Sequence, residues 1–183
     1  EISACLVGSE MCIRDRYIST TVIKYTKKLY IRMLADGIQY YTDRYSWNAG
    51  GTITKSLKNK NQLIVDEFSD GAFQAYTVRL EEASQKGKIY IIDAEFFIDG
   101  CNYVEHQYLG LTNSFPVRNL TLCVRVANNL KLLECKYNMY GHSVDRVPKI
   151  SKVIKPKSGI IEHTFKNLVI GERYNLEWRV VKK

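Results

Sequence analysis

The run from Gly159 to Val181, GIIEHTFKNLVIGERYNLEWRVV, limits the fold more than any other stretch of the chain. Tyr174, Leu176, Trp178 and Val180 fall on one side of it, and Arg173, Asn175, Glu177 and Arg179 on the other. A period of two with one apolar and one polar face is the signature of a half-buried antiparallel strand, because successive side chains of a strand point to opposite faces of its sheet.

Just ahead of that strand, Leu168, Gly171 and Tyr174 are spaced as L-x-x-G-x-x-Y. This resembles the tyrosine corner of immunoglobulin-like sandwiches and fibronectin type III modules. The resemblance covers about two strands and a corner. It implies a phenol bonded back to backbone a few residues upstream, and one further strand beside the one that follows the corner. The chain stops at Lys183, directly after this strand, so the neighbouring edge is expected from another part of the chain, from a partner through strand addition, or from sequence beyond Lys183. Fold alone does not give function.

Residues 5–16 resemble a translated transposase sequencing adapter, LVGSEMCIRD matching over Leu6 to Asp15. Glu1 to Arg16 is therefore expected to be a non-native tail outside the fold, from a gene read in mixed-sample shotgun sequencing. That tail carries a net charge of −1 within a chain of +8, which leaves +9 on the rest. The basic excess is spread out, as on a solvated Lys-rich surface, and admits nucleic acid or an acidic surface as a partner. Cys101, Cys123 and Cys135 remain, an odd number without C-x-x-C spacing, which disfavours a zinc site and a disulfide framework and leaves room for one Cys123–Cys135 bridge. No apolar run reaches the roughly 18 residues of a membrane span.

Asp36-Gly37, Asp70-Gly71 and Asp99-Gly100 lie between β-rich runs, and Asp-Gly suits the centre of a type I′ turn, so each predicts a hairpin. The middle one is the weakest, because its flanks alternate least cleanly. Asn128-Asn129 predicts a fourth hairpin, and the corner ahead of Tyr174 a fifth. Helix signals are confined to at most one turn near Leu80 to Ala83. The 48–51 segment, Lys55 to Asn61 and the Lys- and Pro-bearing run from Gly141 to Ser158 read as exposed loops. Thr112 to Arg118 reads as a hinge. The expected organisation is a tail over 1–16, a hairpin-rich part over 17–117 and a sandwich part over 118–183, forming two sub-domains or one continuous sandwich. The fold class is all-β, an antiparallel immunoglobulin- or fibronectin type III-like β-sandwich.

Three constellations bear on function. Tyr40, Tyr41, Tyr45 and Trp47 lie within eight residues, and flat rings with polar neighbours make a carbohydrate- or protein-binding platform, although the same residues also fill sandwich cores. A two-residue turn at Asp99-Gly100 would set Asp93 opposite His106 with Glu95 on the same face, as an acid-base or metal cluster or simply a solvent face. Lys149, Lys152, Lys155 and Lys157 could touch phosphate but lack interleaved aromatics. No nucleophile elbow, H-E-x-x-H, phosphate loop or dinucleotide fingerprint is present, so no catalytic residue, metal or cofactor is assigned. The expected function is a non-catalytic structural or adhesive β module, with a virion component such as a phage tail or baseplate protein as its leading form and a protein partner or self-association as its mode of action. The alternatives are a carbohydrate-binding module of a secreted or surface protein and a nucleic-acid-binding protein. Virion or extracellular placement follows from the first two.

Overall fold

A computed structural model describes residues 6–47, 49–71, 73–103, 105–114, 116–142 and 144–183. Among these there is no helix. The strands are β1 (Leu6–Tyr17), β2 (Val22–Met33), β3 (Tyr40–Tyr45), β4 (Thr52–Leu57), β5 (Leu63–Asp70), β6 (Phe73–Arg79), β7 (Ile89–Asp99), β8 (His106–Thr112), β9 (Val117–Val126), β10 (Leu130–Tyr140), β11 (Ile150–Val153), β12 (Ile160–Lys166) and β13 (Arg173–Lys182). They form a six-stranded sheet in the order β12-β9-β1-β2-β7-β4, a four-stranded sheet β11-β10-β13-β8 and a three-stranded sheet β3-β6-β5. Among the described residues every ladder is antiparallel except that between β1 and β9.

The large sheet is the floor of the core and the two small sheets cover it. From the floor rise Ile13, Leu29, Ile31, Ile92, Phe96, Leu120, Leu122 and Ile161, all buried. Tyr174, Leu176, Trp178 and Val180 meet them from the four-stranded sheet, each 2 % exposed or less, so the inward face expected of the last strand is observed in full. The rings of Phe165 and Tyr174 lie 5.2 Å apart across that seam. From the three-stranded sheet Tyr76 meets Phe96 edge-on at 5.6 Å. The sandwich-like all-β class is thus observed, with three sheets contributing to one core. Sheets also draw strands from both sides of the 117/118 boundary, β8 pairing with β13 and β9 with β1.

Several expectations need correction. Residues 6–16, set outside the fold on sequence grounds, belong with Tyr17 to β1 in the middle of the large sheet, with Met11 and Ile13 buried. Of the five predicted hairpins only the weakest pairs within one sheet: β5 and β6 join around Gly71, with Asp70 opposite Phe73. β2 and β3, β9 and β10, and β12 and β13 each lie in different sheets, and β7 pairs with β2 and β4 instead of β8. A turn followed by an alternating strand looks the same in sequence whether the chain folds back beside itself or arches across the core, since both routes keep one apolar face inward. The run read as a loop over Gly141 to Ser158 contains the edge strand β11. β13 has β10 on one side and β8 on the other, so strand addition by a partner beside it is excluded.

Candidate functional site

The corner is built as the spacing predicts. Gly171 holds φ at +88°, a value that side-chain-bearing residues rarely adopt. That turn brings Tyr174 under residue 169, where its phenol oxygen accepts a bond from the Val169 N–H at 2.9 Å and donates to Glu172 Oε2 at 2.6 Å. Leu168 packs against the core beside it. Burial, reinforced by the Glu172 carboxylate, pushes the Tyr174 phenol up to about 12. Glu172 is itself pulled upward by burial, yet the bonds it accepts from Lys149 and Tyr174 outweigh this and hold it below the ordinary carboxylate range. The corner is a hydrogen-bonded turn in the connection that leads from β12 of the large sheet into β13 of the four-stranded one.

The aromatic constellation is not brought onto one exposed face. Tyr40 is 44 % exposed whereas Tyr41, its neighbour on the opposite face of β3, is 4 % exposed. Tyr45 points inward, 4.9 Å from the Phe96 ring, with Lys55 Nζ 5.6 Å from its centroid. Trp47 donates from Nε1 to the Gly50 carbonyl at 2.7 Å and packs against the core; Asn48 lies outside the described residues.

His106 is also separated from Asp93 and Glu95, which share one face of β7. Asp93 pairs with Lys58 at 3.4 Å and Glu95 with Lys24 at 2.7 Å, both on the large sheet. His106 stands on β8 opposite Arg179 in another sheet. Among the described residues no three His, Cys, Asp or Glu side chains come together as a metal site, and Cys12, Cys101, Cys123 and Cys135 are all free thiols. Burial pushes the thiols of Cys123 and Cys135 up to about 11, which keeps them protonated and unreactive.

The densest polar chemistry lies elsewhere, inside the core. Lys27 sits on the inward face of β2, in line with Ile23, Leu29, Ile31 and Met33, and its ammonium reaches across to the three-stranded sheet. There it donates to Asp43 Oδ1 at 2.7 Å and to the Arg44 carbonyl at 3.1 Å, while the Tyr76 hydroxyl donates to Asp43 Oδ2 at 2.8 Å. Lys27, Asp43 and Tyr76 are each at most 5 % exposed. The phenols of Tyr25, Tyr41 and Tyr76 are all driven well above their ordinary value, first by burial and then by carboxylates nearby. Groups so enclosed cannot exchange with a substrate; the arrangement locks two sheets in one register. The signal for it was present in sequence, as a lysine within the apolar face of β2 and an aspartate between Tyr41 and Tyr45.

No protein-family model matches this sequence, and no curated protein matches it. Solved structures do. An M1 zinc metallopeptidase from Deinococcus radiodurans superposes with a TM-score of 0.51 at 10 % identity, over 96 % of this chain and 42 % of that one. A variant of that enzyme bound to a Tyr-Ser-Ala substrate gives 0.52 at 9 % identity over the same shares, and a two-domain M1 zinc metallopeptidase variant bound to L-tryptophan gives 0.52 at 11 % over 96 % and 43 %. At such identity the likeness is one of fold. The chain spans less than half the length of these neighbours, and its three-sheet β architecture is similar to a part of them.

Proposed function

We propose that this chain is a non-catalytic β module that acts by making contacts, as the accessory β part of a longer, peptidase-like protein. The observation that supports this is the partial match: nearly all of this chain corresponds to two-fifths of metallopeptidase chains. The polar chemistry of the site agrees with it, since the Lys27–Asp43–Tyr76 cluster and the Tyr174 corner are buried and hydrogen-bonded, with no open position for a reacting group. A structural or adhesive role in a virion is the same contact-making function in another setting; the braced sheets suit it, and the neighbours favour the peptidase-associated one.

The test is to load the purified chain with zinc, dialyse it and measure retained metal and hydrolysis of aminoacyl-coumarin substrates. The expected result is no stoichiometric zinc and no hydrolysis above buffer. One retained zinc per chain with turnover would overturn the proposal.

A further inference from the structure

Two edges of the molecule carry exposed aliphatic and aromatic side chains with opposite charge. β11 closes one side of the four-stranded sheet, and all four of its residues are exposed. On and beside it Val144, Val147 and Val153 are each more than three-quarters exposed. The 141–158 segment around them holds Arg146, Lys149, Lys152, Lys155 and Lys157 against the single acid Asp145, a net of +4. β5 closes one side of the three-stranded sheet, and Leu63, Val65, Phe68 and Phe73 on the β5–β6 hairpin are each more than two-fifths exposed. That hairpin, residues 63–73, holds Asp66, Glu67 and Asp70 and no cation.

Unprotected sheet edges with apolar side chains attract other edges, and like charges are the usual guard against it. Here the guard is selective. Two basic edges repel, as do two acidic ones, whereas a basic edge meeting an acidic one gains both Coulomb attraction and apolar burial. The Lys55 ammonium already bonds Glu67 within the chain, and Lys149 bonds Glu172, which leaves Asp66 on the acidic hairpin and Lys152 and Lys155 on the basic segment as charges for a contact between copies.

We propose that the β11 edge of one copy docks on the β5–β6 hairpin of a second copy of this chain, in a head-to-tail contact. Because the two surfaces differ, the contact is heterologous and leaves one edge of each kind open at the ends, so assembly continues into rings or filaments. This goes beyond the contact-making function above and does not depend on a peptidase setting.

Analytical ultracentrifugation tests it on the full chain. Mass should rise with concentration and fall back when salt is raised from about 20 mM to about 500 mM, since surface attraction is screened. Lys152→Glu with Lys155→Glu, and separately Asp66→Lys with Asp70→Lys, should each weaken association about tenfold or more at low salt, while thermal melting stays unchanged. Mixing the two variants should restore association, because each then presents the charge the other lacks. A wild-type chain that stays monomeric at every concentration would overturn the proposal, as would association untouched by either variant, or variants that remain apart when mixed.

Discussion

Asp43 and Asp15 are carboxylates buried in the same core, and they differ in company. Asp43 has an ammonium on one oxygen and a phenol on the other. Asp15, 7 % exposed on the inward face of β1, has no bond to its Oδ1, and burial alone lifts it to about 7. A carboxylate out of water is sustained by partners, and where none is supplied it takes up a proton instead. Asp43 belongs to a side-chain network built across two sheets. Asp15 stands on β1 where Met11, Ile13 and Tyr17 on the same face are apolar or aromatic.

Breaking the partnered member should have the largest effect. Lys27→Met leaves Asp43 buried and uncompensated, and should lower the unfolding free energy in urea by about 3–5 kcal/mol. Adding Asp43→Leu should recover most of that loss; a single variant as stable as the parent would mean that Asp43 finds other support. Repairing the unpartnered member should act in the opposite direction. Asp15→Val should raise stability by about 3 kcal/mol at pH 8. The sign follows from proton uptake: the folded chain holds a proton on Asp15 that the unfolded chain releases above its ordinary value of 3.8. Stability therefore falls as pH rises from about 4 to about 7 and is flat beyond that, and the variant should lose this slope in urea titrations across the window.

Smaller changes sharpen the contrast. Tyr76→Phe removes one of the two partners of Asp43 and should cost about 1.5–3 kcal/mol, less than loss of the ammonium. The smallest effect is expected at His163, whose ring stacks on Tyr137 at 3.8 Å and whose proton affinity is lowered by burial and by Lys152. Its stabilising neutral form is lost as pH falls below its ordinary 6.5, so His163→Phe should flatten the melting-temperature profile on the acid side and leave it unchanged at pH 8.

The parts of the fold legible in sequence were those settled by local geometry. β13 and its corner could be read because alternation and one glycine turn determine both the inward face and the phenol's reach. The partnering of strands could not, because Asp99-Gly100 and Asn128-Asn129 mark turns without saying which sheet receives the next strand. β5 looked doubtful because a bulge between Ile64 and Asp66 breaks its period and both of its faces meet water. The aromatic constellation in β3 was legible as strand but not as surface or core, since neighbouring tyrosines on one strand necessarily divide between the two. Lys27 and Asp43 are 16 residues apart on strands of different sheets, and only the stacking of one sheet on another brings them together.

The parallel ladder between β1 and β9 has a consequence for how the chain comes to be folded. Gly8 aligns with Val117 and Tyr17 with Val126, so the centre of the largest sheet joins segments more than a hundred residues apart. Closing so long a loop precedes any gain from the contacts it allows, and topologies of this kind fold slowly. On the ribosome the floor of the core cannot close until β9 has emerged. Until then β1, paired with β2 on its other side, waits with one edge open, and that interval is when this molecule is most exposed to aggregation.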